Sequence, residues 1–144
     1  MGFVKELLRT KGSQVWSVSP EATVFEALQE MADKNIGALV VLQDDRIVGI
    51  FSERDYARKV ILKGKSSREI PVSEIMSTSV TTIESSVTLQ ACMRLMTDHR
   101  IRHLPVVNQE QLVGLISIGD VVKGVISEQQ FMIAQLEGYI SGSR

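Results

Sequence analysis

The sequence contains a single cysteine, only 5% aromatic residues, and no apolar run that approaches the ~18 residues needed to span a bilayer. One cysteine excludes an intrachain disulfide, which fits a reducing compartment. Few aromatic side chains argue against stacking platforms for single-stranded nucleic acid. The first 12 residues are too short and too interrupted by charge for a signal peptide. We therefore expect a cytoplasmic protein with no membrane segment.

An excess of charge of either sign is also missing. The chain has 16 Lys and Arg residues against 17 Asp and Glu residues, a formal net charge of -1. No large positive field is available to hold nucleic acid, so we expect no nucleic-acid partner. A basic stretch runs from Arg54 to Lys65, and we interpret it as a solvated helix face in which only Arg54 reaches a phosphate.

Residues for catalytic or metal chemistry are scarce. The only histidines, His99 and His103, fall at a predicted helix-to-strand exit, and a metal site needs three or four converging ligands. Cys92 occupies the position of an apolar residue and predicts core packing. The chain has no Ser-His-Asp pattern, no P-loop lysine and no GxGxxG motif, so it is predicted to be neither an enzyme nor a metalloprotein.

An internal repeat is the strongest positive signal. With a shift of 65 residues, residues 15–61 align with residues 80–126 without a gap. The identical pairs include Thr23/Thr88, Met31/Met96, Asp33/Asp98, Leu39/Leu104, Val41/Val106, Gly49/Gly114, Ser52/Ser117 and Asp55/Asp120. Most other pairs keep apolar opposite apolar, so the two copies are predicted to share one structure.

Each copy predicts the order β-α-β-β-α, and the fold class is α+β. An extended segment precedes an amphipathic helix, and two short β-branched runs joined by a polar turn precede a second helix. Thr23 and Glu26 form a capping-box pattern at the first helix. The predicted organisation is an N-terminal helix at 1–12, a first domain at 13–63, a linker at 64–75, a second domain at 76–127, and a C-terminal helix and tail at 128–144.

The two flanking helices carry apolar stripes of their own. Phe3, Val4, Leu7 and Leu8 form one, and Ile126, Ile133 and Ile140, spaced by seven, form a weak heptad seam with Gln129 and Leu136 in the alternate position. Two interpretations stay open: these helices cap the protein's own core, or they pair in a homodimer.

A second pattern recurs at the junction between the last strand and the last helix of each copy. Residues 49–55 and 114–120 both read glycine, two apolar residues, serine, two variable residues and aspartate. The structural interpretation is a helix start, with serine as the N-cap and aspartate at N3. The functional interpretation is a phosphate or ribose site, because free N–H groups and a carboxylate meet there.

The repeat and its paired junctions resemble a tandem CBS-domain pair, or Bateman module, of the stand-alone bacterial type. The strands Ile36–Val41 and Arg102–Val107 support the resemblance, which spans about residues 10–127. It implies halves packed pseudo-symmetrically through their sheets, modules paired as homodimers, and two clefts for adenosyl ligands. The ligands would be AMP, ADP, ATP, S-adenosylmethionine or NAD(H), with no metal, and the junction aspartate would hold the ribose.

Carried onto this sequence, the resemblance implies two sites. The first comprises Ser52, Arg54, Asp55, Ala38, Ile75 and Met76, completed by Ile101 and Arg102 from the other half. The second comprises Ser117, Asp120, Arg102 and His103, completed by Ile36, Gly37, Val15 and Trp16. Trp16 fits either stacking on adenine or packing in the core.

Two functional hypotheses follow from the resemblance. The first is a regulatory module that binds an adenine nucleotide and signals occupancy to an unidentified protein partner. The alternative is a dimerisation and interaction module that needs no ligand.

Overall fold

A computed structural model describes residues 2–12 and 14–140 and confirms the α+β fold with two repeats. The elements in chain order are α1 (Val4–Lys11), β1 (Ser17–Val18), α2 (Val24–Lys34), β2 (Ala38–Gln43), β3 (Arg46–Ser52), α3 (Glu53–Tyr56), α4 (Leu89–His99), β4 (His103–Asn108), β5 (Gln111–Ser117) and α5 (Ile118–Ile140). The chain divides into two compact units. The first-repeat unit is Val15–Thr81, and the second-repeat unit combines Met1–Gln14 with Thr82–Arg144.

The first-repeat unit contains a three-stranded sheet in the order β1-β2-β3. β1 is parallel to β2, and β2 is antiparallel to β3. Asp44 and Asp45, both at positive φ, join β2 to β3 in a tight hairpin turn. The predicted capping box of α2 is confirmed, because Thr23 and Glu26 exchange hydrogen bonds. The buried side chains of α2 pack on Leu39, Val41 and Phe51 and form the core of this unit.

The second-repeat unit has the same arrangement with one strand reduced. β4 and β5 form an antiparallel pair, but the predicted extended segment Val80–Ile83 makes only a single parallel bridge, from Ile83 to Val106. To extend this pairing to Thr82, residue 105 would have to donate a hydrogen bond, and Pro105 has no N–H. Val40 holds the equivalent position in the first repeat, where β1 pairs through two residues.

Each unit is completed by the segment that precedes the other repeat. Helix α1 precedes the first repeat but packs in the second-repeat unit, where Val4 and Leu8 are buried in the core. The segment before the second repeat, including the 3₁₀ turn Val72–Glu74, packs in the first-repeat unit. The N-terminal stripe therefore caps a core, which is one of the two interpretations left open by the sequence.

Two glycines make room for these exchanged segments. A Cβ at Gly49 would lie 2.5 Å from the sulfur of Met76, and a Cβ at Gly114 would lie 2.6 Å from a methyl carbon of Leu8. The two glycines are equivalent in the repeat, so the same close approach is used twice.

The helices that follow the two junctions differ in length. Helix α3 continues as a π-helical stretch, Ala57–Ile61, and the chain turns at Gly64 with φ at 70°. Helix α5 instead runs for 23 residues and joins the predicted second helix to the predicted C-terminal helix. Residues 141–144 of the predicted tail lie outside the described residues. No helix in the described chain is long and apolar enough to cross a membrane.

Candidate functional site

The Ser-x-x-Asp junction of the first repeat is a helix start in which both partners cap each other. The Ser52 hydroxyl accepts a hydrogen bond from the Asp55 N–H at 3.2 Å. The Asp55 Oδ2 atom accepts from the Ser52 N–H at 3.0 Å and from its hydroxyl at 3.1 Å. The predicted N-cap and N3 roles are therefore both present.

Two further donors reach the other oxygen of Asp55. The Ser77 hydroxyl donates to Oδ1 at 3.2 Å, and the Lys59 ammonium lies 3.0 Å from the same atom. Lys59 also donates to the Ile75 carbonyl at 3.0 Å. Asp55 is 8% exposed, so a buried carboxylate is satisfied on both oxygens by its own unit. The Lys59 side chain is 43% exposed, so it lies on a solvated helix face while its ammonium also turns back to Asp55.

The second repeat builds the same junction with a different lysine. The Ser117 N–H donates to Asp120 Oδ2 at 2.8 Å, and the Asp120 N–H donates to the Ser117 hydroxyl at 3.1 Å. The Lys11 ammonium, from α1, donates to Asp120 Oδ2 at 2.5 Å and to the Leu115 carbonyl at 2.6 Å. Among the described residues, both donors to the Asp120 side chain bond Oδ2, and none bonds Oδ1.

The electrostatics of the second junction follow from this lysine. Burial by itself raises the pKa of Asp120, but the hydrogen bonds from Lys11 and Ser117 and the Lys11 charge outweigh burial and lower the pKa below its ordinary value. Burial lowers the pKa of His103, and the charges of Lys11 and Arg102 lower it further against the opposing effect of Asp120. Asp120 is therefore held as a carboxylate beside a neutral imidazole.

In each unit, the strand next to the junction brings further predicted residues to it. The N–H of Glu53 donates to the Gly37 carbonyl at 3.1 Å, and the equivalent N–H of Ile118 donates to the Arg102 carbonyl at 2.9 Å. Ala38 is paired with Ser52 in the β2–β3 register, and His103 is paired with Ser117 in the β4–β5 register. The predicted group Ser117, Asp120, Arg102 and His103 is thus brought together within one unit.

The other predicted residues of the first repeat divide into two groups. Ile75 and Met76 lie beside the Asp55 junction, Ile75 through Lys59 and Met76 through its approach to Gly49. Arg54 is exposed on α3, and Val15 is half-buried before β1. The Trp16 ring packs against the first-repeat core, with the Lys34 ammonium 4.2 Å from its centroid.

The predicted completions from the opposite half belong to the other unit. Ile101 and Arg102, predicted for the first site, lie in the second-repeat unit; Ile36, Gly37, Val15 and Trp16, predicted for the second site, lie in the first-repeat unit.

A cavity adjoins the junction in each unit. In the second-repeat unit, a cavity of about 620 Å³ is lined by residues of α1 and α5, including Asp120, Lys11 and Lys123. In the first-repeat unit, a smaller cavity of about 330 Å³ is lined by residues of α2, the following loop and Glu53. Both volumes fall within the range that is typical of small-molecule pockets. Charged side chains line both cavities: Lys11, Asp120 and Lys123 in the larger one and Glu53 in the smaller one.

The candidate metal and thiol residues are separated in the structure. His99 ends α4 and His103 begins β4, as predicted, and within residues 2–12 and 14–140 no three His, Cys, Asp or Glu side chains form a group that could hold a metal ion. Cys92 is buried in the second-repeat core, and burial raises its pKa to about 11.

Sequence reasoning missed three donors to the junction carboxylates: Lys59, Ser77 and Lys11. Lys59 follows Asp55 by four residues on a helix, so the i,i+4 spacing was an available signal. Lys11 precedes Asp120 by 109 residues, and no local pattern connects them.

These junctions, repeated in two α+β units, define a class of proteins built from two copies of one module. The sequence matches the CBS domain family over residues 4–62 and 72–127. The chain therefore belongs to the CBS domain family and contains two copies of the domain.

Known proteins with the same architecture support this assignment. The chain is 36% identical over 149 residues to the CBS domain-containing protein CBSX3, mitochondrial, of Arabidopsis thaliana, covering 96% of this chain and 72% of that one. It is 47% identical, with a TM-score of 0.84, to a candidate signal-transduction protein with CBS domains from Burkholderia ambifaria MC40-6, covering 88% of this chain and 96% of that one. It is also similar to a hexameric CBS-CP12 protein of bloom-forming cyanobacteria, at 28% identity and a TM-score of 0.76, covering 83% of this chain and 66% of that one.

Proposed function

We propose that this chain is a regulatory module that binds an adenine nucleotide (AMP, ADP, ATP or NAD(H)) through the Ser-x-x-Asp junctions and signals occupancy to a protein partner. One observation carries the proposal: both units place an aspartate side chain, a serine hydroxyl and a lysine ammonium at a helix start next to a cavity. A carboxylate accepts hydrogen bonds from both vicinal hydroxyls of a ribose, and the ammonium and helix N–H groups suit a phosphate. The role is binding, without catalysis.

The second-repeat junction is the better prepared of the two for a ribose. Its Asp120 side chain is 25% exposed, against 11% for Asp55, and its Oδ1 atom receives no donor among the described residues. A ribose hydroxyl can therefore bond Oδ1 before any protein contact is broken. At Asp55, a ribose must first displace Ser77 or Lys59. We infer that the nucleotide binds at the junction of the second repeat with the higher affinity.

Signalling requires that the ligand interact differently with two states of the protein. Lys11 provides such a difference in the second-repeat unit, because it joins α1 to Asp120 and to the Leu115 carbonyl. A nucleotide that takes over the carboxylate releases this end of α1, or holds it through a phosphate. When this end of α1 is released, its position reports occupancy.

Self-association is part of the proposal. Helix α5 exposes large apolar side chains along its length, and a related CBS protein is hexameric. We propose that this chain forms a homodimer in the cytoplasm. The same exposed face favours the alternative function, an interaction module that needs no ligand.

The two functions are separated by direct binding measurements. Isothermal titration with AMP, ADP, ATP, NAD⁺, NADH and S-adenosylmethionine should give a saturable signal with at least one of them. A ligand at 100 times its Kd should also stabilise the protein by about 2.7 kcal/mol in a thermal unfolding scan. Asp120→Ala should abolish the tighter binding, while Asp98→Ala, an exposed aspartate on α4, should leave it intact. If none of the six compounds binds, the nucleotide proposal is wrong and the interaction module remains.

A further inference from the structure

Between Val122 and Ile140, helix α5 carries an apolar face that its own unit does not cover. Val121 is fully buried and Val125 partly buried against the second-repeat core, but Ile126 is 48% exposed, Ile133 55% and Ile140 80%. The exposed apolar side chains on this helix are Val122, Ile126, Phe131, Met132, Ile133, Leu136, Tyr139 and Ile140. So much exposed apolar surface on one helix marks an interaction surface.

Most of these side chains follow a heptad pattern. Ile126, Ile133 and Ile140 occupy the a positions, and Val122, Gln129 and Leu136 occupy the d positions. Val125, Met132 and Tyr139 form an apolar row on the g side, and Lys123, Gln130 and Glu137 form a polar row on the e side. Phe131 lies outside the pattern and lines the cavity beside α1.

We propose that this face of α5 pairs with α5 of a second copy in an antiparallel coiled coil. In an antiparallel pair, an a residue of one helix meets a d residue of the other. If Ile126 meets Leu136 of the second copy, then Val122 meets Ile140 and Gln129 meets Ile133. The two-fold axis repeats each contact, so all six a and d positions find a partner in one register. This proposal deepens the homodimer proposed above by naming its surface and its orientation.

Charge complementarity fixes the second copy as the occupant and sets its direction. In this antiparallel register, the e rows of the two helices face each other, and Lys123 lies opposite Glu137 of the second copy on both sides of the axis. In a parallel pair, e faces g, so Lys123 and Glu137 would face only apolar residues such as Met132. A parallel pair would also bring Gln129 against Gln129. Lys123 and Glu137, the only two charged residues that flank the seam, therefore form opposite-charge pairs only when the two helices are antiparallel.

Disulfide trapping tests the orientation directly in the full-length protein. Ile126→Cys and Leu136→Cys proteins carrying tags of different size are mixed, allowed to exchange, and oxidised. A disulfide requires Cα atoms within about 7 Å, which the antiparallel register supplies between positions 126 and 136 of different copies. We expect a mixed disulfide at least about tenfold more abundant than the disulfide of either protein alone. The native Cys92 is buried and stays out of the reaction.

A matched pair of charge variants tests the surface. Ile133→Glu, introduced into both proteins, should lower the yield of the mixed disulfide at least about tenfold, because it buries a carboxylate in the seam. Gln135→Glu adds the same charge to an exposed position outside the seam and should leave the yield unchanged.

The contrary outcomes are distinct. Disulfides in each single-variant protein, with none gained on mixing, would show a parallel pair and overturn the orientation. No disulfide in any sample, from a protein that sediments as a dimer, would overturn α5 pairing and leave the homodimer intact. A monomer in sedimentation would overturn both, while the titrations with nucleotides would still decide the binding proposal.

Discussion

The two repeats differ in where they obtain the cation that faces their junction aspartate. In the first repeat, Lys59 lies on the same helical segment, four residues after Asp55. In the second repeat, the position equivalent to Lys59 is Gly124, and the ammonium comes from Lys11 on α1. The same geometry is thus reached from two different parts of the chain. The two repeats share an arrangement of charges, although residues at non-equivalent positions supply the cation.

The difference also changes how tightly each carboxylate is enclosed. Asp55 is satisfied by donors within its own contiguous unit, including Ser77, and is almost completely buried. Asp120 is more exposed and depends on a helix from the other end of the chain. The first junction is therefore the more structural of the two, and the second is the more open to a ligand.

The largest expected effect is the loss of stability when each aspartate is removed. Asp55→Ala should lower the free energy of unfolding by about 2–3 kcal/mol, because it leaves the Ser52 N–H and the Ser77 hydroxyl without their acceptor. Asp120→Ala should cost only about 1–2 kcal/mol, close to the loss of a helix cap. Urea unfolding followed by circular dichroism measures both.

The internal controls for this prediction are built into the repeat. Asp33 and Asp98 are equivalent, exposed aspartates, and their replacement by alanine should change stability little. Trp16 is the only tryptophan and lies in the first-repeat unit, so its fluorescence reports the unfolding of that unit. The urea midpoint measured by this fluorescence should fall more in Asp55→Ala than in Asp120→Ala. Equal losses for the two aspartates would remove the distinction between a structural and an open junction.

A smaller effect is expected on ligand binding when each lysine is removed. Lys11→Met frees Asp120 from a competitor, so adenosine, which has no phosphate, should bind about five- to tenfold more tightly, a change of roughly 1 kcal/mol. ATP should gain less, because the same ammonium is lost as a phosphate contact. Lys59→Met should change the adenosine affinity about twofold or less. The Ser52 and Ser77 hydroxyls still donate hydrogen bonds to the Asp55 carboxylate and so keep a ribose from binding there.

Titration calorimetry with both ligands measures this difference. Arg9→Met, which removes an exposed cation from α1, is the control and should leave both affinities unchanged. Weaker adenosine binding by Lys11→Met would show that Lys11 supports the ribose site, contrary to its proposed role as a competitor.

The smallest expected effect is a dependence of the free energy of unfolding on pH. It is specific to the second repeat, because His103 is replaced by Ala38 at the equivalent position of the first repeat. Because the pKa of His103 is lowered in the folded protein, the unfolded chain binds the proton first. The free energy of unfolding should therefore fall as pH drops below about 6.5, by less than about 1.4 kcal/mol per pH unit. A second loss should begin below about pH 3.9, where the lowered pKa of Asp120 makes the unfolded chain the stronger proton binder.

Urea unfolding between pH 8 and 3 tests this dependence. His103→Ala should flatten the upper phase, and His99→Ala, at an exposed position, should leave it in place. An unchanged upper phase in His103→Ala would assign the dependence to other groups.

The sequence predicted those features of the fold that depend on local patterns. The gapless repeat gave the order of elements, and the Thr23 capping box and both serine caps formed as their spacing indicated. The family resemblance, not a local pattern, implied Arg102 and His103 at the second junction, where His103 pairs with Ser117 and the Arg102 carbonyl accepts from Ile118.

Features that depend on long-range packing were beyond the reach of the sequence. Helix α1 had two open interpretations, because an apolar stripe does not identify the surface that covers it. The contact of Lys11 with Asp120 follows from that packing and was missed entirely. The sequence shows Pro105, but its effect on the length of the paired segment before α4 depends on which residue lies opposite it, and the sequence does not give that register.

The exchange of segments between the units has a consequence for synthesis of the chain on the ribosome. The first-repeat unit is one continuous stretch and has all of its parts once Thr81 has emerged. Helix α1 is made before any of it, yet its apolar side packs in a core that is supplied by residues after Thr81. Helix α1 thus precedes the first-repeat unit in synthesis but finds its core only after that unit, and the second junction acquires its lysine only once Asp120 has been made.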